Sequence, residues 1–194
     1  MRRLIIITGF PSSGTFFAAQ IISFVLGKCS KFGDWDVMTE KWNGEYGEEL
    51  VIIHRTMPSG LNPKKWIDDL ENEIALLKDY SREFIICTRD LNISRMSRIK
   101  RWGGSHYEYQ HDDRRASEIF SQIISKERCF ILSLESAFAL GDAYYQGLFE
   151  WLNVETNFSP KVLNVNKTYI KQRFLSNLIK NSKINIKRLL KNFK

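Results

Sequence analysis

The residues of this chain best suited to chemistry lie in one short stretch, Ile5-Ile6-Ile7-Thr8-Gly9-Phe10-Pro11-Ser12-Ser13-Gly14-Thr15-Phe16-Phe17. A β-branched apolar run ends in a Gly/Pro/Ser turn and opens into an apolar helical pattern. Strand, loop and helix in that order make a phosphate cradle, because successive backbone N–H groups and the positive end of the helix dipole converge on one anion. The spacing of Gly9 and Gly14 is that of a nucleotide-binding P-loop. Thr15, however, stands where an ATP-binding loop carries its Lys, and Phe16 where that loop places its magnesium-binding Ser or Thr. These residues suit holding a phosphate better than hydrolysing a triphosphate. The plainer reading of the same stretch is an ordinary strand-to-helix turn.

A second pair of residues has matching chemistry. Arg89 directly follows the apolar run Phe84–Thr88, and Ser97 lies eight residues later on an expected helix. A guanidinium at a strand end grips an oxyanion through two charge-assisted hydrogen bonds, and a nearby hydroxyl adds a donor. Taken alone, Arg89 reads as the partner of Asp90 or another acid at a helix start.

These residues need a scaffold, and the pattern along the chain supplies one. Strands are expected at Leu4–Thr8, Leu50–His54, Phe84–Thr88 and Cys129–Ser133. Helices are expected at Gly14–Leu26, Pro63–Tyr80, Asn92–Arg101, Arg114–Lys126 and Asp142–Asn153, with Gly27–Glu49 irregular and Trp102–Asp113 a polar-aromatic loop. Alternating strands and helices predict an α/β fold: a P-loop-type doubly wound parallel sheet of about four to five strands flanked by helices. Ligands bind such sheets beyond the carboxyl ends of the strands, where Pro11–Thr15, His54 and Arg89 would gather.

Bulk properties exclude several classes. The 194 residues suffice for one full core, and no apolar run reaches the roughly 18–20 residues of a membrane span. Met1-Arg2-Arg3 before Leu4–Ile7 imitates a signal peptide, but Gly9-Phe10-Pro11 interrupts the apolar run too early, so a cytoplasmic chain is expected. The three cysteines, Cys29, Cys87 and Cys129, lack metal-ligand spacing, and Cys87 and Cys129 read as buried thiols. The net charge of +7 is concentrated at one end: from Thr156 onward there are ten Lys or Arg and no acid, leaving 19 basic against 22 acidic residues before it. A body that is not basic argues against specific nucleic-acid binding. The expected division is an α/β domain over 1–168 and a basic helical tail over 169–194. Such a tail packs along the domain as a solvated helix or lies peripherally on an anionic membrane surface.

Taken together, Pro11-Ser12-Ser13-Gly14-Thr15 and Cys87-Thr88-Arg89-Asp90-Leu91 with Ser97 resemble the two motifs of the PAPS-dependent sulfotransferases. Weaker similarities are carried by Leu132–Ser136, Gln146–Leu152 and Asn166–Tyr169. The resemblance implies a sulfuryl transfer from 3′-phosphoadenosine 5′-phosphosulfate (PAPS) to a hydroxyl acceptor such as a carbohydrate or glycolipid, with no metal. It implies that Pro11, Ser12, Ser13, Gly14, Thr15 and Phe16 surround the 5′-phosphosulfate, that Arg89 and Ser97 hold the 3′-phosphate, and that Lys167 lies in a late cofactor-side segment.

Two positions depart from the family pattern. Ser12 replaces a basic residue that neutralises charge at the transfer centre, and Phe16 replaces a Thr whose hydroxyl would touch phosphate. Losing one preorganised donor at such a centre costs about 10²–10³ in rate; Arg55 or Lys167 could supply the missing charge. His54 resembles the catalytic base that takes the acceptor's proton. His106 and His111 lie in the expected loop, which reads as an acceptor-side lid or a solvated loop, and they lack a third ligand for a metal site. Asp34, Trp35, Asp36 and Trp42 suit a sugar site or simple packing. Two other readings stand beside this one: a P-loop nucleotide kinase or other phosphotransferase, and a nucleotide-binding module that has lost transfer chemistry.

Overall fold

The computed structural model describes residues 2–29, 32, 49–57, 79–161 and 166. The chain divides into two units, Met1–Val162 and Leu163–Lys194, and every element named here belongs to the first. In chain order these are β1 (Arg3–Gly9), α1 (Thr15–Val25), β2 (Leu50–Thr56), β3 (Ser81–Thr88), α2 (Leu91–Trp102), α3 (His106–Lys126), β4 (Arg128–Ser133), α4 (Leu134–Leu140) and α5 (Asp142–Leu152). The expected helix over Pro63–Tyr80 and the basic tail lie outside the described residues, apart from the end of the former at 79–80.

The four strands form one sheet in the order β2-β1-β3-β4, with every neighbouring pair parallel. The run Leu4-Ile5-Ile6-Ile7 takes a central place because it has no polar side chain to solvate, and all four residues are fully buried. Each contributes about 1.5–3 kcal/mol by leaving water, as an upper figure.

Strand alternation divides the core in two. Leu4 and Ile6 join Val51, Ile53, Phe84 and Ile86 on one face, covered by Ala116 and Phe120 of α3. Ile5 and Ile7 join Ile85, Cys87 and Leu132 on the other, covered by α1 through Ala18, Ile21 and Ile22 and by α5 through Tyr145, Leu148 and Phe149. The fold is therefore α/β and doubly wound, with a four-stranded parallel sheet and five helices among the described residues. The helices after β1 and β3 cover opposite faces, so the chain leaves these two adjacent strands in opposite directions. That is the topological switch point, the place at which ligands of such sheets bind, beyond the carboxyl ends of the strands.

Three boundaries differ from expectation. β2 continues past His54 through Arg55 and Thr56, because each pairs with the central strand, Arg55 with Thr8 and Thr56 with Gly9. The loop expected over Trp102–Asp113 shrinks to Gly103–Ser105, and α3 starts at His106. A capping box causes this: Ser105 Oγ accepts the Glu108 N–H, and the Glu108 carboxylate accepts the Ser105 N–H at 2.7 Å. The short helix α4 follows β4 without a loop, capped by Ser133, whose Oγ accepts the Ser136 N–H. Cys87 is buried, as expected, while Cys129 is only half-buried, and no disulfide forms. Burial pushes the Cys87 thiol far up, so it stays protonated and acts as core. Among the described residues no helix is long and apolar enough to cross a membrane.

Candidate functional site: the carboxyl edge of the sheet

The turn after β1 is held from several sides. Gly9 has φ 152°, and a side-chain carbon there would collide with the Cys87 carbonyl and come within 2.8 Å of Ser13 Oγ. Only glycine lets the loop pass so close to β3. The Gly9 carbonyl accepts the Met57 N–H at 2.9 Å, and Phe10 is buried edge-on against Phe120 with ring centroids 5.2 Å apart. The Ser13 N–H donates back to the Phe10 carbonyl at 3.0 Å, closing a tight turn. Inside that turn Ser12 is left-handed, at φ 67°. A non-glycine residue in that region costs about 1–3 kcal/mol, the kind of strain that clusters at ligand sites.

The outer side of the loop is gripped by α2 and by the residue Arg89 between β3 and α2. Ser94 Oγ donates to the Pro11 carbonyl at 2.8 Å, and Arg89 Nη1 donates to the Ser12 carbonyl at 2.8 Å. Because the peptide group is planar and trans, fixing the Pro11 carbonyl towards α2 turns the Ser12 N–H away from it. Gly14, the N-cap of α1, is left-handed (φ 89°) and has no side chain with which to cap the first turn. There is no acid in that turn either. The first N–H groups of a helix have no carbonyl one turn back within it, so this end favours an anion.

Thr8 Oγ1, Ser12 Oγ and Ser13 Oγ are buried and meet no hydrogen-bond partner among the described residues. A buried unsatisfied polar group costs about 1–3 kcal/mol. Three within six residues, at a switch-point loop, fit a group bearing several acceptor oxygens, such as a phosphate. The loop offers hydroxyls and backbone at Ser12 but no cation of its own; the guanidinium comes from Arg89.

The structure brings some expected residues together and separates others. Arg89 is buried and joined to the loop 77 residues earlier, while Asp90 is spent on capping α2 through the N–H groups of Asn92 and Ile93. Ser97 is buried on α2, one turn beyond Ser94 and on the same flank. Ser94, absent from the sequence reading, is the helix hydroxyl that touches the loop. Its spacing of three from Ser97 was the available signal.

His54 does not end β2 but sits within it opposite Ile7, so it lies on the α1 face. There its ring stands edge-on to Phe16, centroids 6.2 Å apart. Arg55, the next residue, pairs opposite Thr8 and alternates to the α3 face. Strand alternation thus places the two expected catalytic residues on opposite faces of the sheet, near its carboxyl edge. Lys167, Asp34, Trp35, Asp36 and Trp42 lie outside the described residues.

The lid expected around His106 and His111 is the first two turns of α3. His111 instead lines a cleft of about 410 Å³ between α2 and α3, none of whose lining residues belongs to the β1–α1 loop. Among the described residues no group of three or more His, Cys, Asp or Glu converges as a metal site. Compared with known proteins, the chain matches no family model and no curated sequence.

Proposed function

We propose that the carboxyl edge of the sheet binds PAPS and that the protein transfers its sulfuryl group to a hydroxyl acceptor, a carbohydrate or glycolipid. One observation carries the reading: Arg89 Nη1 donates to the Ser12 carbonyl, so the two motifs that resemble those of sulfotransferases meet in space across 77 residues. In this reading the turn Pro11–Gly14 and the first residues of α1, Thr15 and Phe16, hold the 5′ end, with Ser12 Oγ and Ser13 Oγ as donors. Arg89 and Ser97 hold the 3′-phosphate. When bound, the nucleotide supplies the sulfur centre; the acceptor oxygen bonds to sulfur as the bond from sulfur to the 5′-phosphate oxygen breaks. His54 takes the proton the acceptor loses, leaving adenosine 3′,5′-bisphosphate as the second product. The chemistry takes place in the cytoplasm, with the basic C-terminal segment as the contact to membrane surfaces.

Ser12 favours a second reading. With no side-chain cation at that position, a protein that binds the nucleotide without transferring its sulfuryl group has the same loop. Calorimetry with adenosine 3′,5′-bisphosphate, 5′-AMP and ATP tests the shared part. The bisphosphate should bind about 10–100-fold more tightly than AMP, the range of one or two charge-assisted hydrogen bonds, and Arg89→Ala should erase the difference. Equal affinities would overturn the assignment of Arg89 and Ser97. Transfer of radiolabelled sulfate to a glycan panel, lost in His54→Ala, then separates enzyme from binder.

A further inference from the structure

The helix α2 has two working flanks. Ser94 and Ser97 belong to the flank that meets the β1–α1 loop. Leu91, Arg95 and Arg98 recur at four and three residues and share the flank that meets α3. Between that second flank and α3 lies the cleft of about 410 Å³, within the range of small-molecule sites.

Its charges do not balance. The Asp113 carboxylate is spent twice: Oδ2 accepts from Arg95 Nε and Oδ1 from Arg98 Nη2, each at 2.6 Å. Arg98 and Asp113 are both 1 % exposed, so two guanidiniums share one carboxylate in a nearly dry place. Arg98 does not line the cleft and lies over the Tyr109 ring, 4.6 Å from its centroid, so the cation an anion there would meet is Arg95, which shares its carboxylate and is 14 % exposed. Apart from the bond to Asp113, the Arg95 guanidinium makes no hydrogen bond among the described residues, and Arg98 Nε is buried without a partner.

Arg114 adds a third cation at the rim. It pairs with Glu118 only at 3.7 Å and with both side chains exposed, a contact too weak to hold it back. Gln110 and His111 supply further polar groups, while Leu91 and the exposed Tyr107 offer apolar surface.

We infer that this cleft is a second binding site, for a small organic oxyanion (a phosphate or sulfate ester, or a carboxylate), with Arg95 and Arg114 on the anionic group and Leu91 and Tyr107 against the organic body. It is independent of the nucleotide reading, because no residue of the β1–α1 loop takes part.

The test is titration of the full chain with phenyl phosphate, phenyl sulfate, benzoate and phenol, followed by amide chemical shifts at Gln110 and His111. The anionic probes should bind at least about tenfold more tightly than phenol, and their ranking identifies the preferred oxyanion. Arg114→Glu should lose about tenfold or more of that binding with an unchanged melting temperature, as expected for an exposed residue. Arg89→Gln, between β3 and α2 and bonded to the β1–α1 loop, should leave it intact. Equal binding of phenol and the anions, full binding by Arg114→Glu, or loss in Arg89→Gln would each overturn the assignment. The last result would place the probes at the β1–α1 loop instead.

Discussion

The two ends of the sheet are built to opposite standards. At the amino end Glu83 of β3 is almost completely buried, yet both its oxygens are occupied. Arg3 Nε and Nη2 donate to them at 2.9 and 3.0 Å, and Arg128 Nη1 adds a third contact at 2.8 Å. Arg128 is held in turn by the Trp151 carbonyl and lies over the Trp151 ring. At the carboxyl end, on β1 and the loop that follows it, three hydroxyls meet no partner among the described residues and Ser12 is held left-handed. The amino edge thus satisfies a buried carboxylate with two guanidiniums, and elsewhere single buried atoms such as Arg98 Nε and Tyr145 OH stand without a partner among the described residues. What sets the carboxyl edge apart is the clustering of three such hydroxyls within six residues, and it coincides with the switch point where a ligand would complete it.

The largest expected effect comes from breaking the finished end. Glu83→Gln leaves Arg3 and Arg128 sharing a neutral partner and should cost about 3 kcal/mol, the lower end of the range for splitting a buried pair, since both arginines are partly exposed. Urea unfolding measures this, and nucleotide affinity should be unchanged. A matching loss of affinity would show that the two ends are not independent.

Ser13→Ala sharpens the contrast because it should move stability and binding in opposite directions. Removing a buried hydroxyl without a partner should raise stability by about 1 kcal/mol, while affinity for adenosine 3′,5′-bisphosphate falls about tenfold. Thermal unfolding and calorimetry on the same variant give both numbers. A destabilised variant would mean that the hydroxyl serves the fold.

The smallest effect belongs to the cap of α3. Hydrogen bonds from Ser105, through its side chain first and its backbone second, hold the Glu108 carboxyl below the usual carboxylate range. A carboxyl whose folded value is depressed stabilises the helix start above its unfolded value and ceases to as pH falls through the folded one. Protection against hydrogen exchange in the first turn of α3, measured relative to the intrinsic rate at each pH, should therefore fall in acid, and Glu108→Gln should flatten that dependence. Nucleotide binding should not follow it.

Much of the candidate site was legible in short stretches of sequence. The apolar run of β1, the Gly9–Gly14 loop and Arg89 after a second apolar run are local patterns, and each stands at the carboxyl end of its strand as read. What escaped was set by partners distant in sequence. His54-Arg55-Thr56 looks like the polar exit of a strand, yet the central strand pairs with all three. Ser94 looks like any helix serine until Pro11 arrives opposite it. The start of α3 was different, since the Ser105-x-x-Glu108 signal was present but two glycines and a run of polar and aromatic residues suggested a loop.

Sequence alone determined the α/β alternation and the residues able to meet an anion, because backbone preference, side-chain period and hydroxyl or guanidinium chemistry are properties of neighbours in the chain. Only the tertiary structure decided that Arg89 and Ser94 grip the loop from outside, that His54 and Arg55 part to opposite faces, and that Asp113 is shared between two arginines. Those outcomes depend on strand register and on how helices pack across the sheet, and both are settled by burying apolar side chains drawn from the whole chain.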